Sequence, residues 1–318
     1  MTQTAGPRPL IVRLRNFVGD AVLGVPALRL LERHGYQLQL VGKGWAPELF
    51  ASEGWPVAVR PKKLHDRVKQ LRALRAEALR VDPGFDKRPN ALAFPGAISA
   101  ALDMRLAGLR AEGYACDGRS WLLSRSHPMD ETVHALRSYW DLSCAFLGIQ
   151  EVPPAAIDFK VSPAQFAQAD ALLQERGIAP GYVLVCPFAN GTIELVDKTW
   201  PQFMSFVERL SASGRQVVIC PGPNEVEGAR RMYPAALRLE GVGLGVYNAL
   251  LARAKLVIAN DTGPAHMAAA VGAPLLSILG PTPLEQWAPW GPNVEIMQRY
   301  PAWFSADEVL ARVLARLQ

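Results

Sequence analysis

No run of about 18 uninterrupted apolar residues occurs in the 318-residue chain, and its first nine residues, MTQTAGPRP, lack a long apolar stretch. Neither a membrane-spanning helix nor a secretory leader is therefore expected, and the protein reads as cytoplasmic. Cysteine is scarce: Cys116, Cys144, Cys186 and Cys220 are the only four, and none forms a C-x-x-C pair. That argues against a disulfide framework or a zinc ribbon and fits a reducing compartment. There is no D-x-D sequence of the kind that holds magnesium or manganese and no His/Cys/Glu cluster at ligand spacing, so neither a metal nor a cofactor is expected. A G-x-G-x-x-G is missing after the first strand candidate, where residues 15–25 read RNFVGDAVLGV; this counts against a nicotinamide-dependent enzyme. Repeats of 20–50 residues and low-complexity tracts are also lacking, which excludes a solenoid.

The composition that remains is globular. Half the residues are hydrophobic and 20% are charged, which excludes disordered, collagen-like and coiled-coil classes. At roughly 150 residues per domain the length suits about two domains. The net charge of +5 is uneven: residues 1–160 hold 22 Lys/Arg against 16 Asp/Glu, a balance of +6, and the remainder holds 12 against 13, a balance of −1. An anionic partner is thus expected for the first half.

Short β-branched or apolar runs alternate with helical stretches throughout, the pattern of βα units around parallel sheets. Strands are predicted at 10–14, 37–41, 57–59 and 91–94, then at 182–186, 216–220, 237–239, 256–259 and 275–279. Between the sets, GIQEVPPAAIDFKVSP (148–163) breaks the rhythm with paired prolines. We therefore divide the chain into domains 1–155 and 156–318, each a doubly wound sheet, with the last helix free to return to the first domain. Ligands of open α/β sheets bind beyond the C-terminal strand ends, so two such domains facing one another are expected to place the sites in a cleft between them.

Three segments can carry chemistry. In LIVRLRNFVGDAVLGVPALRLL (10–31), Asp20 follows Gly19 where a strand runs into a helix. It serves either as a helix cap or, if partly buried at the sheet's C-terminal edge, as a general base. In CPFANGTIELVDKTWP (186–201), a polar loop offers Asn190, Gly191, Thr192 and Lys198. Backbone amides, a hydroxyl and an ammonium suit a diphosphate, although such loops are commonly just solvated surface. In KLVIANDTGPAHMAAAVGAPLLSILGPTPLEQWAPWGP (255–292), Thr262 and Gly263 open a small-residue helix whose free N–H groups suit phosphate. Asp261 is read as a cap or an acceptor for sugar hydroxyls, and His266 either orients the turn or touches ligand.

Together these segments resemble glycosyltransferase family 9, the bacterial lipopolysaccharide heptosyltransferases, in the expected order from residue 10 to residue 292. NDTGPAHMAAAVGAPLLSILGPT (260–282) is the strongest match, followed by RLRNFVGDAVLGVPALRLL (13–31) and DKTWP (197–201). FPGAISAALDMRLAGLRAEGY (94–114) is similar to the acceptor-side region of the heptosyltransferase II branch, departing at Gly96 and Ala97, where that branch more often has Asn-Ser. The resemblance implies GT-B architecture, two facing Rossmann-like domains with acceptor on the first and nucleotide-sugar on the second. It implies a metal-independent inverting transferase, with ADP-heptose the expected donor and lipopolysaccharide core or a related glycan the acceptor. Carried over by position, Asp20 matches the catalytic base, Thr192 and Lys198 the residues near the donor diphosphate, and Asp261, Thr262 and Gly263 the donor-binding turn. Glu225, in PGPNEVEG (221–228), falls where the family has a ribose-binding acid. A related transferase with another donor, or an inactive nucleotide-sugar-binding protein, are the alternatives.

Residues 60–88 carry ten Lys/Arg and four Asp/Glu. Leu64, Val68, Leu71, Leu74 and Leu79 mostly follow helical spacing, which predicts an amphipathic helix with a basic outer face. Lys62, Lys63, Arg67, Lys69 and Arg72 are the expected contacts for an anionic acceptor or for the inner-membrane surface; a solvated helix is the alternative. Nucleic acid is not expected, since Phe85 is the stretch's only aromatic residue and no known module appears.

Overall fold

The computed structural model describes residue 6, residues 8–189, the backbone at 192–193 and residues 195–318. The chain forms two compact units, Met1–Pro154 and Ala155–Gln318. Their boundary lies inside the proline-containing stretch 148–163.

In the first unit the strands are β1 (Arg8–Arg13), β2 (Tyr36–Gly42), β3 (Val57–Val59), β4 (Ala91–Ala93), β5 (Ala111–Tyr114) and β6 (Arg125–His127). Around them lie α1 (Val18–Leu23), α2 (Val25–Arg33), α3 (Ala46–Leu49), α4 (Leu64–Val81), α5 (Ile98–Leu106) and α6 (Ala135–Leu147). Every neighbouring pair is parallel, in the order β3-β2-β1-β4-β5-β6. Burial of both faces explains the near-continuous apolar runs of the central strands. β5 and β6 fall outside the predicted strands, because AEGY and RSH carry no apolar run. The predicted basic helix is α4, which turns Val68, Leu71 and Ala78 into the core beside Phe85, Ala101 and Met104.

The second unit contains β7 (Val183–Cys186), a small antiparallel pair β8 (Thr192–Ile193) and β9 (Val196–Asp197), and then β10 (Val217–Ile219), β11 (Leu237–Arg238), β12 (Leu256–Ala259), β13 (Leu275–Leu279) and β14 (Val294–Gln298). Its helices are α7 (Pro163–Glu175), α8 (Phe203–Ala212), α9 (Val226–Met232), α10 (Leu244–Arg253), α11 (Gly263–Ala270), α12 (Leu284–Trp287) and α13 (Ala306–Leu317). The main sheet is parallel and ordered β11-β10-β7-β12-β13-β14. Numbered within each sheet, both orders are 3-2-1-4-5-6, the doubly wound arrangement. Connections leave the first and fourth strands in opposite directions. A crevice therefore opens beyond the C-terminal ends of β1 and β4 in one sheet and of β7 and β12 in the other.

The apolar stripe of α13, Val309, Val313 and Leu317, joins the second unit's core with Trp200, Phe203 and Phe206. A capping box at Ser305 and Glu308 starts the helix there.

Candidate active site

At the first sheet's switch point, β1 runs into a short loop and then α1. Phe17 is the N-cap residue and makes no side-chain cap, while Asp20 is the third helical residue. The Asp20 carboxylate is thus not the helix cap that one reading of the sequence allowed. Its Oδ1 accepts from Arg15 Nε at 3.2 Å and from the Tyr139 hydroxyl at 3.2 Å. The Asp20 side chain keeps 11% of its surface exposed, so it is sheltered but reachable. Tyr139 comes from α6, 119 residues along the chain. Burial, with Asp20 beside it, pushes its phenol well above the ordinary value, which keeps it a proton donor.

The neighbouring β4 loop is held by Arg119, which is fully buried. It donates to the carbonyls of Tyr114 and Ala97 at 3.0 and 3.3 Å and also to that of Pro95. Gly96 lies between these contacts, and a Cβ there would come within 3.0 Å of Cys116 Sγ. Ala97 is the N-cap of α5 without a capping side chain. Glycine at 96 thus avoids a tight contact with Cys116 Sγ that any side chain would make, and alanine at 97 leaves α5 without a capping side chain.

Of the five basic residues predicted to meet an anion, Lys62, Lys63, Lys69 and Arg72 are exposed. Arg67 instead points inward to Asp103, at 2.6 and 3.0 Å, and Arg72 donates to Leu106 O at 3.0 Å.

In the second unit, Asn260 is fully buried directly after β12. It accepts from Trp200 N at 2.9 Å and donates to Pro187 O at 2.6 Å. One amide thereby ties together both ends of the loop that carries β8 and β9. Trp200 is further anchored by its indole N–H on Phe304 O at 2.8 Å. Two residues before this anchor, Lys198 Nζ lies 3.1 Å from Asp261 Oδ2. Thr282 Oγ1 donates to the same oxygen at 2.7 Å, and Gln298 Nε2 steadies the Thr282 loop through Gly280 O and Thr282 O, each at 2.8 Å. Asp261 is thus a buried counter-ion that holds Lys198, not a cap. Thr262 is the extended N-cap residue of α11 and makes no side-chain cap, Gly263 is the first helical residue, and His266 is buried on the same helix.

Glu225 stands beyond β10, where its Oε2 accepts from Gly222 N at 2.9 Å and closes its own turn. Asn190 and Gly191 lie outside the described residues, and of Thr192 only the backbone, in β8, is described. Cys186 at the end of β7 is pushed up to about 12 by burial, so no thiolate nucleophile is available there. Among the described residues, no group of three or more His, Cys, Asp or Glu is placed to hold a metal ion. Sequence reasoning missed Arg15, Tyr139 and the supporting roles of Asn260, Thr282 and Gln298. For Thr282 a signal existed, a hydroxyl residue after Gly-Pro beyond a buried strand. For Tyr139 there was none.

Comparison with known proteins bears on this geometry. A curated relative, lipopolysaccharide heptosyltransferase 3 of Escherichia coli, is 31% identical over 140 residues, 42% of this chain and 41% of that protein. The chain thus spans about two fifths of the length of the curated relatives it matches. The structure of E. coli ADP-heptose lipopolysaccharide heptosyltransferase II superposes with a TM-score of 0.80 at 20% identity, covering 97% of this chain and 98% of the other. A glycosyl transferase of family 9 from Veillonella parvula gives 0.81 at 16% identity, covering 98% and 97%. E. coli heptosyltransferase WaaC, solved with ADP, gives 0.70 at 20% identity, covering 97% and 99%. These likenesses show a shared α/β fold. The model of glycosyltransferase family 9 (heptosyltransferase) matches residues 87–310, and so this chain belongs to glycosyltransferase family 9.

Proposed function

We propose that the protein is an inverting glycosyltransferase that moves a heptose from ADP-heptose to a lipopolysaccharide core or a related anionic glycan. The observation that carries this reading is Lys198, ion-paired with Asp261 beside the Thr262–Gly263 helix start, at the switch point of the second sheet. An ammonium and free backbone N–H groups there meet the charge of a diphosphate. That the family neighbour WaaC was solved with ADP supports ADP as the nucleotide.

In this mechanism Asp20 takes the proton of the acceptor hydroxyl, whose oxygen attacks the anomeric carbon from the face opposite the diphosphate. The bond to the phosphate oxygen breaks, its electron pair leaves with ADP, and the anomeric centre inverts. Lys198 and the amides at Thr262 and Gly263 stabilise the charge that develops on the leaving group. The polar loop residues Asn190, Gly191 and Thr192 complete the diphosphate site, Glu225 takes the ribose, and His266 supports the turn. Because Lys198 and the helix start supply the positive charge, we propose that no metal is required. Lys62, Lys63 and Lys69 give the first unit a basic face. It suits phosphorylated or acidic sugars of the acceptor at the cytoplasmic surface of the inner membrane.

The test is calorimetric titration with ADP, UDP and GDP, with and without chelator, on the wild type and on Lys198→Ala and Asp261→Ala. Selective ADP binding that survives chelator and weakens in both variants is expected. Preference for UDP or GDP changes the donor, and binding to none of the three overturns the donor site.

A further inference from the structure

Asp20 presents its two carboxylate oxygens unequally. Arg15 Nε and the Tyr139 hydroxyl both bond Oδ1, each at 3.2 Å, and the Arg15 ion pair is to the same atom. Among the described residues Oδ2 accepts no hydrogen bond. The donor on α6 is itself fixed. The Tyr139 ring sits against Phe94, with centroids 5.2 Å apart. The carbonyl of the preceding Ser138 accepts from the Tyr114 hydroxyl at 2.5 Å, and the indole of the following Trp140 donates to Glu151 O at 2.7 Å. Tyr139 is 4% exposed, and a buried phenol held among such contacts keeps one direction.

We propose that Tyr139 is a positioning residue for Asp20: by holding Oδ1, it keeps Oδ2 as the oxygen that receives the acceptor's proton. This rests on the reading of Asp20 as general base. Tyr139 neither gives nor takes a proton in the step. The hydroxyl proton passes to Oδ2, the acceptor oxygen bonds the anomeric carbon, and the phosphate oxygen leaves with its electron pair. Arg15, with 29% of its side chain exposed, supplies charge to Oδ1, while the enclosed tyrosine supplies direction.

The experiment is a double-mutant cycle on the full chain with ADP-heptose and lipopolysaccharide truncated to its inner core. Tyr139→Phe keeps the ring contact with Phe94 and removes only the donor. It is expected to lower kcat about 10-fold, the scale of one hydrogen bond to a charged group, with KM for both substrates unchanged. In the Asp20→Ala background the same substitution is expected to have no further effect, because a group acting through Asp20 has nothing left to position. An equal loss in both backgrounds, or wild-type kcat in Tyr139→Phe, overturns the proposal, and so does a Tyr139→Phe protein that fails to fold. Wild-type kcat in Asp20→Ala, or no turnover by the wild type, overturns instead the reading of the base or of the reaction.

Discussion

Two carboxylates show how single residues are committed. Asp103 in α5 is 3% exposed and receives Arg67 through two hydrogen bonds, with Arg60 Nη2 3.8 Å away. Beside them the Arg13 guanidinium, at the end of β1, is lowered to about 10 by burial and by neighbouring Arg60. One negative charge thus serves three sheltered positive ones. Asp103→Asn keeps the shape and removes the charge, and we expect it to cost about 3–5 kcal/mol of stability in urea denaturation, the scale of a broken buried pair. A loss below 1 kcal/mol would mean that solvent already screens the cluster. Asp261 is also shared, by Lys198 and Thr282, at the proposed donor site. Thr282→Val removes one neutral donor to Asp261 and is expected to weaken ADP binding about 3- to 10-fold in calorimetry. Unchanged affinity would show that Lys198 is held without the hydroxyl.

Helix ends decide the next scale. Ala97 begins α5 with extended backbone and no capping side chain. Ala97→Ser is expected to stabilise the protein by about 0.5–1 kcal/mol, visible as a higher Tm; a lower Tm would mean that the hydroxyl disturbs the Arg119 contacts nearby. α13 starts well by comparison. The Ser305 N–H, the Arg299 guanidinium and the Ser305 hydroxyl hold the Glu308 carboxyl down to about 2 against an ordinary 4.5. A depressed carboxyl stabilises the fold above its unfolded value and loses that contribution as the pH falls through its folded one. Melting temperatures should therefore fall between pH 4.5 and about 2, and less steeply in Glu308→Gln; parallel slopes would assign the acid loss elsewhere. The elements themselves were unequally legible. Four strands of the first sheet and five of the second declared themselves as apolar runs. β5 did not, because it buries Glu112, which meets His127 at 2.8 Å and lies 3.5 Å from Arg125, both on β6. A charge neutralised across strands leaves no trace in local propensity. The same limit hid Tyr139, whose partner is 119 residues away, whereas Asp20, Lys198 and Asp261 lay in recognisable strand-to-helix motifs.

Over the whole molecule the two sheets repeat one order with opposite endowments. The first places a carboxylate beyond β1 and carries the excess of basic residues; the second places an ammonium, a counter-ion and a helix start beyond β7 and β12. Every residue proposed for the nucleotide, from Asn190 to His266, belongs to Ala155–Gln318. That unit also owns its core, built from Trp200, Phe203, Phe206 and the buried stripe of α13. A unit that holds its own core and every residue proposed for the nucleotide is expected to bind without the other. Residues 155–318 produced alone are therefore expected to fold and to bind ADP within about threefold of the full chain, a difference of less than 1 kcal/mol. Asp20→Ala in the full chain is expected to leave that affinity unchanged while lowering turnover by about 100-fold or more. If the isolated unit folds but loses ADP, residues of the first unit must contact the nucleotide. If Asp20→Ala loses ADP as well, the carboxylate serves the donor and the proposed division between the two sheets fails.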